Sequence, residues 1–150
     1  LLTNKETFMS CKILLPVDGS EGSLNAARHV ARIVAMAPGV EVHLLNVQPP
    51  GDDWMVRRMI KAEELATLEK DWGEAAISPA RSLLEAAGVS CQSHMVQGEV
   101  AATIARIAGE LGCDQIVMGT HGRSALGDLF LGSVAIKVLH LSGVPVTLVK

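Results

Sequence analysis

Five short apolar runs alternate with four segments of helical periodicity along the chain, and no other feature narrows the possible folds as far. A strand, a helix and a parallel strand require a crossover, and crossovers within one sheet are right-handed. The pattern therefore predicts a single α/β domain: one five-stranded parallel sheet with helices on both faces.

Residues 12–17 read as a first, buried strand that ends at Asp18-Gly19-Ser20. Pro16 is tolerable there because the strand is giving way to a loop. Ser20 or Ser23 can cap a helix running to about Met36, with Glu21 in its first turn. Leu24, Ala27, Ala31, Val34 and Ala35 share one face of it, opposite Asn25, Arg28 and Arg32. Pro38-Gly39 stops that helix. Residues 40–47 form the second predicted strand and 48–53 a loop. Leu65, Leu68, Trp72 and Ala76, then Leu83, Leu84 and Ala87, mark a long helical region that Pro79 is expected to kink or split. Trp54 and Trp72 are expected in core or helix packing rather than ligand stacking. Residues 89–96 are the third predicted strand. Gly98-Glu99 then opens a helix with Val100, Ile104, Ile107 and Leu111 on one face, ended by Gly112. Residues 115–118 are the fourth strand, a helix starts near Ser133, and 144–149 close the chain as a fifth strand. Pro145 suggests an edge position for it.

With 150 residues, 49% hydrophobic and 19% charged, the chain is long enough for one domain with a full core. Only 3% of residues are aromatic, none is Tyr, and the net charge is −3, which argues against a general nucleic-acid binder. No apolar run approaches the ~18 residues of a membrane span. Residues 1–10 are expected to be a tail, with Met9 a candidate start, and 11–150 the domain. That tail carries no charged-then-apolar signal pattern, so a cytoplasmic location is expected. Cys11, Cys91 and Cys113 have neither metal-ligand spacing nor a disulfide framework and are expected to be inert, partly buried thiols.

The stretch after the fourth run has a spacing of its own: Gly119, two residues, Gly122, nine residues, then Gly132-Ser133. It is neither the P-loop, which needs Gly-Lys-Ser/Thr, nor the three-glycine dinucleotide fingerprint. Strand, glycine-bearing loop and helix start are nonetheless the parts of an anion site, in which backbone amides approach a phosphate at the positive end of a helix. A glycine-rich surface loop is the other reading. In parallel sheets ligands sit beyond the carboxyl ends of strands, where strand order reverses. Asp18, Val47, Gly98 and the Gly119 loop all fall at such ends.

Ile13-Leu-Leu-Pro-Val-Asp-Gly-Ser20, His43-Leu-Leu-Asn-Val47, Met118-Gly-Thr-His-Gly-Arg-Ser124 and Leu131-Gly-Ser-Val134 resemble, in order, the ATP-binding branch of the universal stress protein family. The similarity runs from about Cys11 to Lys150. It implies strand order 3-2-1-4-5 and an adenine nucleotide alpha hydrolase-like fold. It also implies ATP, AMP or ADP in the crevice, with Mg2+ or Mn2+ on the phosphates. On this resemblance Asp18 faces the ribose or adenine, and main-chain atoms of Val47 meet the adenine edge. Pro16 and Val17 line the base pocket. Gly119, Gly122, Arg123, Gly132 and Ser133 hold the phosphates, and Met118 and Val134 line the site. It implies a stress-response regulator acting through nucleotide-dependent conformation or partner binding, and a homodimer paired through strand 144–149.

The chemistry of the residues fits that division. A carboxylate at Asp18 would repel a triphosphate, so it belongs at the sugar end, or else serves only as an Asx-turn. Ser133 can donate to a phosphate, cap its helix, or both. Arg123 is either a phosphate clamp or a solvated charge, and His121 reads as loop scaffold. Asp128 sits in mid-loop, where relatives often carry a basic or neutral residue. From Gly119 to Lys150 three Lys/Arg face one Asp/Glu, so that segment still attracts anions. No committed catalytic set is visible. Slow ATP hydrolysis would have to use Asp128 or His121, and a nucleotide-free dimeric interaction module is the remaining alternative.

Overall fold

The computed structural model describes residues 10–51, 54–122 and 131–150. Among them five strands form one sheet: β1 (Lys12–Pro16), β2 (Glu41–Gln48), β3 (Cys91–Gln97), β4 (Gln115–Gly119) and β5 (Val146–Val149). All neighbours are parallel, in the order β3-β2-β1-β4-β5. The helices are α1 (Glu21–Met36), α2 (Trp54–Met59), α3 (Ala62–Ala86), α4 (Val100–Glu110) and α5 (Ser133–Leu141).

Central strands covered on both faces are apolar almost throughout, which is why the first two runs read as near-continuous rather than alternating. Ile13, Leu15, Val42 and Leu44 pack with residues of α1 and α3. Leu14, Leu45, Ile116 and Met118 point the other way and pack with residues of α4 and α5. Ser20 is the N-cap of α1 and accepts from the Ser23 amide at 3.3 Å, with Glu21 in the first turn. The buried face of α1 is Ser23, Ala26, Ala27 and Val30, rotated from the expected one; Ala35 is exposed. Small side chains on that face let the helix settle closely on the sheet.

Pro79 neither splits nor ends its helix: α3 is continuous over 25 residues. Pro79 and Ala75, whose carbonyl loses an amide partner to it, are both exposed, so water can replace that bond. Ala76, Ile77, Ala80 and Leu84 meanwhile hold both sides of the proline against the core. The first half of α3 departs from expectation more strongly. Leu68 is 37% and Trp72 58% exposed, so Trp72 is not a core residue. Trp54 begins the separate short helix α2, and its side chain lies outside the described residues.

The fifth strand starts at Val146 rather than 144, because the Val144 amide bonds the Ser142 hydroxyl at 3.1 Å. β5 pairs only with β4 and is an edge, as Pro145 suggested. Cys11, Cys91 and Cys113 are free, the first two half-buried and the third buried. Burial pushes the Cys91 and Cys113 thiols up, which keeps them protonated and unreactive near neutrality.

Candidate functional site

Strand order reverses at β1, whose chain successor β2 lies on one side and β4 on the other, so the ends of these strands open a crevice. Beyond Pro16 the chain stays locked to β2. The Val17 amide donates to the Leu45 carbonyl at 2.8 Å, and Asn46 Nδ2 donates to the Val17 carbonyl at 2.9 Å. Asp18 Oδ1 then accepts from the Ser20 amide at 3.0 Å and from Ser23 Oγ at 2.6 Å. Gly19, at φ +80°, supplies the left-handed residue that this turn needs. Asp18 therefore is an Asx-turn residue, and it also reaches the crevice wall.

The described glycines of the loop serve close approach rather than unusual backbone angles, for Gly119, Gly122 and Gly132 all lie outside the positive-φ set. A Cβ on Gly119 would stand 2.8 Å from the backbone of Gly22. A Cβ on Gly22 would strike the His121 carbonyl, so the first turn of α1 and the end of β4 meet backbone to backbone. At Gly122 a Cβ would lie 2.7 Å from Asp18 Oδ2, and at Gly132 3.0 Å from the Thr120 carbonyl. The Gly132 amide donates to that same carbonyl at 2.8 Å, closing the base of the loop and leaving this amide committed within the protein. Gly132 is the N-cap of α5 and has no side chain to offer its first turn. The helix makes its first internal bond from the Ile136 amide to Gly132. The amides of Ser133, Val134 and Ala135 precede it and have no acceptor within the helix.

These elements enclose a cavity of about 1110 Å3. Every described residue of the sequence-predicted set lines it: Pro16, Val17 and Asp18 from the end of β1; Val47 from β2; Met118, Gly119 and Gly122 from β4 and beyond; Gly132, Ser133 and Val134 at the start of α5. Arg123 and Asp128 lie outside the described residues. Gly98 is not part of the lining: it stands behind Gln48, its amide donating to that carbonyl at 3.0 Å.

The structure adds residues that sequence reasoning missed. Asn46 is 6% exposed and lines the cavity; its Oδ1 has no hydrogen-bond partner among the described residues. An asparagine inside an apolar strand run was its signal. His121, read from the sequence as loop scaffold and as a candidate for slow hydrolysis, also lines the cavity, with Nδ1 3.0 Å from Thr120 Oγ1 and a buried Nε2 that has no partner among the described residues. The far wall comes from Leu65, Glu69, Trp72 and Ala76 of α3. Their spacing was visible, but nothing in it told which side would face a ligand. Asp18, Glu69 and Arg57 are the charged side chains among the described lining residues. No group of three or more His, Cys, Asp or Glu is gathered for a metal among the described residues.

A five-stranded parallel sheet with this order and a crevice at its reversal point defines an α/β domain of the adenine nucleotide alpha hydrolase-like type. Residues 9–150 match the model of the universal stress protein family, and the chain belongs to that family. It is similar to a curated universal stress protein of Methanocaldococcus jannaschii, MJ0531, at 33% identity over 146 residues, covering 93% of this chain and 81% of the relative. Among solved structures it is similar to MJ0577 of the same organism, with 32% identity, a TM-score of 0.80, and coverage of 95% and 96% of the two chains. The fold is also that of a universal stress protein solved in complex with cAMP, at 24% identity, TM-score 0.71 and coverage of 93% and 97%. The Archaeoglobus fulgidus universal stress protein solved in complex with dAMP shares it at 22% identity, TM-score 0.65 and coverage of 94% and 98%. Among the described residues no helix is long and apolar enough to cross a membrane.

Proposed function

We propose that this protein binds an adenine nucleotide in the crevice, ATP with a divalent cation on its phosphates, and that occupancy biases its conformation or choice of partner in stress adaptation. The observation that carries this reading is the convergence of the β1, β2 and β4 ends with the uncapped start of α5 on one cavity. Pro16 and Val17 form the base pocket, main-chain atoms of Val47 meet the adenine edge, and Asp18 accepts from the ribose hydroxyls. Gly119, Gly122 and Ser133, with Arg123 outside the described residues, hold the phosphates, and Met118 and Val134 line the site. Gly132 acts by closing the loop, since its amide is already engaged. The adenine nucleotides in the solved cAMP and dAMP complexes support the choice of base. A cation, Mg2+ or Mn2+, would neutralise the phosphates; among the described residues the carboxylates are not clustered to hold it alone.

Magnesium-ATP at about 100 times its Kd should add about 2.7 kcal/mol of stability. That amounts to a melting shift of about 5–11 °C in a domain of this size. Gly132→Val should abolish the shift. A melting curve that ATP leaves in place would end the nucleotide reading.

The homodimer belongs to the same proposal. β5 is an edge whose residues are only half-buried, and Ile136, Leu139 and Leu141 of α5 are exposed beside it. An apolar edge of this kind is a template for a second copy. The Val149 carbonyl accepts the Thr120 amide at 3.0 Å, a direct contact between the edge strand and the glycine loop through which occupancy could reach the dimer. Light scattering at micromolar concentration should return twice the 15.8 kDa chain mass; a single-chain mass would remove the dimer.

A further inference from the structure

We propose that Trp72 is the stacking wall for the adenine base, an inference that rests on the nucleotide reading above. Leu65, Glu69, Trp72 and Ala76 are separated by four, three and four residues, which puts them on one face of α3. All of them line the cavity. Ala76 is buried where that face meets the core, whereas the indole one turn earlier is 58% exposed. An indole this large has most of its apolar area still to bury, and here it borders the crevice.

Two contacts fix where along the crevice the indole stands. Gln48 Nε2 donates to the Glu69 carbonyl at 2.7 Å. Gly73 lets α3 settle onto the sheet edge, because a Cβ there would collide with Met95 Sδ and lie 3.0 Å from Gln48 Nε2. The turn of α3 that carries Trp72 is thus pinned beside Gln48. Val47, the residue before Gln48, is the one whose main chain would read the adenine edge. The indole consequently stands at the base end of the cavity, across from the glycine loop. Aromatic stacking recognises the flat face of a base and ignores its hydrogen-bonding edge. Trp72 would therefore supply affinity for the base, while Val47 supplies its identity and the glycine loop holds the phosphates.

The two tryptophans of the chain make a direct test possible. In a Trp54→Phe background all indole emission comes from Trp72, and saturating magnesium-ATP should quench it. Inorganic tripolyphosphate, which has no base, should not. By calorimetry Trp72→Ala should weaken ATP about fivefold or more, the lower end of what one base stack is worth. Trp72→Phe should keep much of the affinity, and tripolyphosphate should bind all three proteins alike. Unchanged ATP affinity in Trp72→Ala, or Trp72 emission indifferent to bound ATP, would overturn the stack while leaving the nucleotide site standing. If Trp72→Ala fails to fold, the emission titration and Trp72→Phe still decide the matter. A wild-type protein that binds no adenine nucleotide would remove both this inference and the reading beneath it.

Discussion

The two long walls of the crevice are built on opposite principles. On the glycine wall, Gly119, Gly122 and Gly132, with Gly22 packed against Gly119, are fixed by what a side chain would hit, each meeting backbone or a carboxylate within 3.0 Å of an added Cβ. On the α3 wall, Leu65 and Trp72 are defined by side chains left partly uncovered along a helix that becomes a core helix only from Gly73 onward. One wall tolerates almost no added atom; the other has area waiting for a partner. Rigid backbone suits a phosphate, whose geometry does not vary. An open aromatic wall suits a flat base.

That contrast breaks most visibly at Gly119. Valine there must displace the Gly22 backbone, so Gly119→Val should lose about 3 kcal/mol, the upper part of the range for overpacking, read as a lower urea midpoint. If it melts with the wild type, the two segments are not in backbone contact and the glycine wall is misread. In the exposed first half of α3, beside its wall residues, the expected change is small. Leu68→Ala should stay within about 0.5 kcal/mol, as for a surface position, whereas fully buried Leu84 in the same helix should lose about 2–5 kcal/mol on truncation to Ala. Equal losses at the two leucines would mean that the first half of α3 is packed after all.

The smallest effect lies outside both walls and serves as a control. His94 Nε2 is 3.0 Å from His43 Nδ1, and the rings stack at 5.2 Å. Burial first, and the neighbouring His43 second, hold His94 below its ordinary value of 6.5. Around it, Glu41 lies 2.8 Å from His43 Nε2 on β2. Because the unfolded chain takes up this proton before the folded one, stability is full above 6.5 and falls as pH drops through the folded value. His94→Gln should flatten that decline below about pH 6.5 in urea titrations, without moving nucleotide affinity. A wild-type profile as flat as the variant's would remove the effect.

Much of the fold was legible because its signals are local. Asp18-Gly19-Ser20 announces a turn and a cap, and the runs around Leu14 and Leu44 announce strands covered on both sides. Pro79 misled because propensity says what a proline does in isolation, and α3 keeps its exposed face and its packed flanks elsewhere in the fold. Trp72 misled for the related reason that a helical stripe gives a face but not what lies opposite it. Asn46 was visible as an oddity in a strand, yet its bond to the Val17 carbonyl spans 29 residues of chain.

The sequence by itself determined the alternation of strands and helices, the caps, and the positions of the glycines, since each depends on the conformations open to a few adjacent residues. Only the tertiary structure decided why those glycines are needed, which half of α3 is core and which is wall, and that Trp72 stands across the crevice from the glycine loop. Those outcomes depend on atoms brought together from opposite parts of the chain, and a close contact between Gly22 and Gly119 has no trace in the neighbourhood of either.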